Sequence, residues 1–98
     1  MSVYHTKDKL FAHIDGIKDV QNLYDVCENI VIPVLENTEG LWKELGYCYK
    51  AVEVCNRATN KCSHFLETCQ HAKTHEKVLK IKASLRKMAE HYHFLQMN

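Results

Sequence analysis

Apolar residues return every three or four positions along this chain and never alternate with polar ones for long. That is the period of a helix resting one face on a core. Leu10, Phe11, Ile14, Ile17, Val20, Leu23, Tyr24, Cys27, Ile30 and Val31 make the first such series. They predict a helix over 7–32, with Thr6 as its N-cap and Gly16 kinking the run without ending it. Pro33 lacks an amide hydrogen and fixes its own φ, so the helix should stop or bend near Ile32. The stretch "PVLENTEG" then serves as a connector, in which Asn37 or Thr38 caps a second helix predicted over 39–72.

That second helix has the most regular pattern. Leu41, Cys48, Cys55, Cys62 and Cys69 share one heptad position, and Leu45, Val52, Thr59 and Leu66 share the position four residues on. Held over about four heptads, this is the seam of helices packed at a shallow left-handed angle. A third series, Val78, Ile81, Leu85, Met88, Tyr92 and Leu95, predicts a helix over 75–96. Its phase is different, because continuing the earlier heptad would put Glu76, Lys80, Ala83 and Lys87 in the seam. A phase jump marks a stutter or a turn, and "HAKTHE", with Thr74 as N-cap, suits a turn. Three glycines and one proline leave few other places to break a helix. The expectation is one all-α domain over 1–98, an antiparallel bundle of three or four amphipathic helices with a coiled-coil-like heptad seam.

Four cysteines spaced seven apart raise three chemical possibilities. On one helix, neighbouring rungs lie about 10.5 Å apart along the axis. Thiolates sharing a tetrahedral zinc must approach within about 4 Å of each other. The ladder alone therefore cannot chelate a metal while the helix is intact. A tight turn at "NRATNK" would bring Cys55 to Cys62 and Cys48 to Cys69 as disulfides, but the segment holds no Gly or Pro, and Ala58 favours helix. Free cysteine otherwise behaves as a small buried hydrophobe. On that reading Leu41, Leu45, Cys48, Val52, Cys55, Cys62, Leu66 and Cys69 form the core seam.

Among the seven histidines, His71 and His75 are four apart, the spacing that suits two imidazoles on one ion. They are the metal candidates, although they fall where the turn is expected; no cofactor is expected. Gly-rich phosphate loops, a G-x-S-x-G elbow and a distinct carboxylate pair are missing, so the chain is not expected to be an enzyme. Apolar residues make up 46%, charged residues 26% and the formal net charge is +1. These values fit a globular chain and carry no nucleic-acid or membrane-surface signature. The basic strip Lys73, Lys77, Lys80, Lys82, Arg86 and Lys87 lacks free aromatics for base stacking. Asp8, His13 and Asp15 interrupt the opening segment, so a secretory signal is not expected there. No window holds the roughly 18 apolar residues of a membrane span. An odd count of five cysteines points to a reducing compartment, hence an intracellular, cytoplasmic setting.

Trp42, Tyr47 and Tyr49 lie beside the seam and are the candidate interaction residues, because aromatics are enriched at interface hot spots. The run from Trp42 to Leu66, with Ala58, Asn60-Lys61-Cys62 and Leu66, preceded by "IVIPVL", resembles the long helix of the N-terminal four-helix bundle in mixed lineage kinase domain-like proteins. That resemblance implies an assembling bundle which, in some members, docks at membranes through a basic surface. Here the first segment carries only Lys7, Lys9 and Lys18 among several acids. The leading expectation is a non-catalytic helical module that binds a protein partner or itself. The alternatives are a metal- or redox-responsive Cys-rich protein and a membrane-associating bundle domain.

Overall fold

Nearly every stretch with helical periodicity is helix in the computed structural model, which describes residues 3–97, with side chains from Thr6 onward. The elements are α1 (Val3–Asp15), α2 (Val20–Val26), a π turn (Cys27–Val31), α3 (Ile32–Asn37), α4 (Glu39–Glu44), α5 (Cys48–Thr68) and α6 (Ala72–Met97). The protein is all-helical and compact, with a Cα radius of gyration of 13.3 Å.

The expected helix over 7–32 is instead two pieces. α1 ends at Asp15, and Gly16–Asp19 turns the chain. Asp19, in extended conformation at φ −143°, caps α2 by accepting a 2.7 Å hydrogen bond from the Asn22 amide. Each new helix start leaves orphan amides, and this carboxylate satisfies one of them. Thr6 is no N-cap, since α1 begins three residues earlier and Thr6 is buried within it.

Pro33 does not stop the chain. The rod from Val20 to Asn37 stays helical by opening one π turn ahead of the proline, where the Ile32 amide donates to the Cys27 carbonyl five residues back. Pro33 has no hydrogen to give the Asn29 carbonyl, and its ring needs room there; a wider turn relieves both demands. Pro33 then sits in the first turn of α3, where a missing amide costs least.

Residues 39–72, expected as one helix, hold α4 and all of α5, separated at Leu45–Tyr47 by Gly46, whose φ of +73° is left-handed. α5 itself is unbroken through Asn56–Lys61, so the chain does not double back there and all five cysteines are free thiols. Cys69–His71 link α5 to α6, a few residues before the expected turn, and Thr74 lies inside α6. Cys48 shares a pocket with Leu95 and Gln96, and Val52 shares one with Ala89 and His93. Numbers rise on one helix as they fall on the other, so α5 and α6 run antiparallel. The core joins Leu10 and Ile14 of α1, Ile17 just beyond its end, Leu23, Val26, Cys27, Val31 and Leu35 of the rod, Trp42, the inner face of α5, and Val78, Ile81, Leu85 and Tyr92 of α6.

Candidate functional site

Two features organise the centre of the molecule: the cysteine ladder of α5 and a hydrogen-bonded knot where α3, α4 and α6 meet.

The ladder holds for three rungs. Cys48, Cys55 and Cys62 are buried, whereas Cys69 lies beyond the last turn of α5, half-buried, its Sγ 3.7 Å from the His71 carbonyl oxygen. Their seam partners differ from the expected ones. Ala51 and Ala58, three residues after the cysteines, are fully buried, while Val52, Thr59 and Leu66, four after, are half-buried. Leu41 and Leu45 are exposed, at 38% and 51%, because α4 is a separate short helix turned out of the α5 register. Apart from Val54, the buried residues of α5 are cysteines and alanines with little side-chain bulk, and larger buried residues come from other helices, among them Ile81, Leu85 and Tyr92 of α6.

Cys27, at the opening of the π turn, meets Cys62 of α5, and both are fully buried. The hydrogen bond with Cys62, then burial, push the Cys27 thiol far above its ordinary value. The same bond, received by Cys62, lowers that thiol against the opposing effect of burial, aided by the Lys82 ammonium on α6. Burial pushes Cys55 up to about 12, against the lowering effect of a backbone hydrogen bond. Among the described residues no group of three or more His, Cys, Asp or Glu side chains is gathered for a metal. His71, exposed, immediately precedes α6 and His75 is half-buried in its first turn; the His75 amide donates to the His71 carbonyl at 2.9 Å, so the two lie one helical turn apart.

The knot is built on Thr38. Its hydroxyl donates to the Val34 carbonyl at 2.6 Å and accepts from the Trp42 indole Nε1 at 2.6 Å. It occupies the cap position of α4 but makes no side-chain capping bond. Trp42, one of the candidate interaction residues, is fully buried, packed edge-on against Tyr92 with centroids 6.4 Å apart. The Tyr92 phenol donates to the Leu35 carbonyl, and burial raises its pKa. Among the described residues no buried side-chain nitrogen or oxygen lacks a partner. The pattern marked Tyr92 and Leu35 only as apolar; the sequence held no signal for the Tyr92 hydroxyl reaching the Leu35 carbonyl, because the contact spans 57 residues.

Two clusters of large apolar side chains remain at the surface. One is Leu41, Leu45 and Tyr49 on α4 and the start of α5; Tyr49 is 47% exposed and its ring lies 6.2 Å from that of half-buried Tyr47. The other runs along the outside of α6, with Leu79 at 46%, Phe94 at 63% and Met97 at 74%. The basic strip of α6 is partly neutralised: Lys77 reaches Glu28 at 3.7 Å and Lys80 reaches Glu76 at 3.8 Å. Among the described residues no helix is long and apolar enough to cross a membrane. Comparison with known proteins finds no matching family model, no matching curated protein and no matching solved structure.

Proposed function

We propose that this chain is a non-catalytic helical module that works by binding protein, as an antiparallel bundle whose α5 carries the seam Cys48, Ala51, Cys55, Ala58 and Cys62. The observation that carries this reading is the surplus of exposed large apolar side chains outside a well-filled core, at Leu41, Leu45, Tyr49, Leu79, Phe94 and Met97. Such area left at the surface of a small domain marks a contact face. Tyr49 keeps the interaction role on this reading, with Tyr47 beside it, whereas Trp42 belongs to the core. Five free thiols support a reducing, cytoplasmic setting. Paired retention experiments test the proposal. Proteins held by the immobilised chain should be lost from a variant carrying Leu45→Lys and Tyr49→Lys and from one carrying Phe94→Lys and Met97→Lys. Identical retention by all three, with no self-association, refutes it.

A second reading, a thiol-responsive protein, is favoured by the buried Cys27–Cys62 contact. Diamide would take two electrons and two protons from this pair as the S–S bond forms. Mass spectrometry after peptide mapping checks it: a Cys27–Cys62 cross-link supports the reading, and recovery of both thiols after diamide treatment of the folded chain eliminates it. The membrane-associating reading has only the α6 lysines in its favour, two of which are already paired.

A further inference from the structure

The outward side of α6 carries a line of residues that the core does not use. Leu79, Ala83, Arg86, Glu90, His93, Phe94 and Met97 are all exposed. At 3.6 residues per turn they fall within an arc of about 100°, opposite the buried Val78, Ile81, Leu85 and Tyr92. From Leu79 to Met97 the line is about 27 Å long. It contains no lysine, and neither Arg86 nor Glu90 makes an ion pair among the described residues.

The order along this line is self-complementary. If a second α6 is laid against the first, antiparallel, with a two-fold axis at the level of residue 88, every position comes level with the one equally far on the other side, and those near the midline of the face meet. Leu79 of one copy then meets Met97 of the other, and Arg86 meets Glu90. Each contact occurs twice, as a closed two-fold interface requires. Away from the midline the two-fold keeps each residue on its own edge, so Ala83 comes beside Phe94 of the second copy and Lys82 beside His93. A mainly apolar hollow lined by Val52, Ala89, Glu90, His93, Phe94 and Met97 lies where Leu79 of the second copy arrives.

We infer that the outward face of α6 binds a second copy of this chain, antiparallel about a two-fold axis near residue 88, with reciprocal Arg86–Glu90 pairs between apolar ends. The inference rests on the protein-binding reading above and names the partner of one of its two apolar clusters. A contact one helix wide covers about half of the ~800 Å² per partner of a standard interface. The dimer is therefore weak, with Kd on the order of 0.1 mM. It dissociates further as salt screens the ion pairs.

Charge reversal tests the geometry. Sedimentation equilibrium of the wild-type chain from about 0.01 to about 1 mM should report a monomer–dimer equilibrium. R86E alone and E90R alone each place like charges opposite one another twice, and each should weaken the dimer about tenfold. An equimolar mixture of the two variants sets unlike charges opposite again and should restore association, as should the double variant R86E/E90R. All these positions are exposed, and unchanged far-ultraviolet circular dichroism verifies that each variant is folded. Association that persists in both single variants, or a mixture that stays monomeric, overturns the inference while leaving the protein-binding reading intact. A wild-type chain that is monomeric at about 1 mM also overturns it, and the retention experiments then decide that reading separately.

Discussion

Replacing Thr38 by valine isolates the knot that joins α3, α4 and α6. Valine nearly matches threonine in shape, and the Thr38 backbone, at φ −118°, suits a β-branched residue. What disappears is the hydroxyl, and with it the 2.6 Å bonds to the Val34 carbonyl and from the Trp42 indole. The two losses are unequal. The Val34 bond is half-buried, whereas Trp42 is fully buried, so its N–H is left with no water to turn to. An unsatisfied buried donor costs about 1–3 kcal/mol. We expect Thr38→Val to destabilise the fold by about 2 kcal/mol, a fall in Tm of about 10 °C for a chain of this length. Thr38→Ser keeps the hydroxyl and should cost less than half as much. The decisive comparison is a cycle with Trp42→Phe, measured by urea denaturation followed by circular dichroism. With the indole N–H gone, Thr38→Val should cost about 1 kcal/mol or less, giving a coupling energy of about 1 kcal/mol or more between the two sites. Equal cost of Thr38→Val in both backgrounds would refute the argument that the hydroxyl acts by satisfying Trp42.

Three further outcomes follow from the burial pattern. Leu45→Lys, at a 51% exposed site, should change stability by no more than about 0.5 kcal/mol. Ala58→Leu, at a fully buried position of α5, should cost about 1–3 kcal/mol or more in the same denaturation assay. A thiol-reactive disulfide reagent should modify Cys69 rapidly in the folded chain and reach Cys27, Cys48, Cys55 and Cys62 only on unfolding; two or more fast thiols would contradict the packing. Finally, Cys55 is held protonated in the fold, its pKa raised from about 9 to about 12, so its contribution is whole below pH 9 and is lost as pH rises from 9 toward 12. Stability should decline across that window in the presence of reductant, and Cys55→Ala should make the decline shallower.

How much of this was written in the linear pattern differs from element to element. The helical period of residues 7–32 and 75–96 was legible, because a face buried along its whole length repeats every three or four residues whatever lies opposite. The inward placement of Cys48, Cys55 and Cys62 followed from the same periodicity. Their seam partners did not. The sequence offers Val52 and Ala51 equally well as neighbours of Cys48, and only the packing of the other helices around α5 makes Ala51 the fully buried one. Leu41 and Leu45 kept the heptad spacing on paper but lost it in space, since Gly46 takes a left-handed conformation and breaks the helix between them and Cys48. A periodicity argument carries phase only as far as the backbone stays helical.

Local chemistry, then, determined that this chain is all-helical and that three of its thiols face inward. Tertiary structure decided what is held against what: Trp42 drawn inside to a threonine hydroxyl, Tyr92 bonded to a carbonyl 57 residues away, and Cys27 set against Cys62. It also decided which apolar side chains were left outside. The physical reason is that a helix's own hydrogen bonds and amphipathic spacing act over a few residues. Which polar groups must find each other once water is excluded depends on the packing of distant segments, and that information no local window contains.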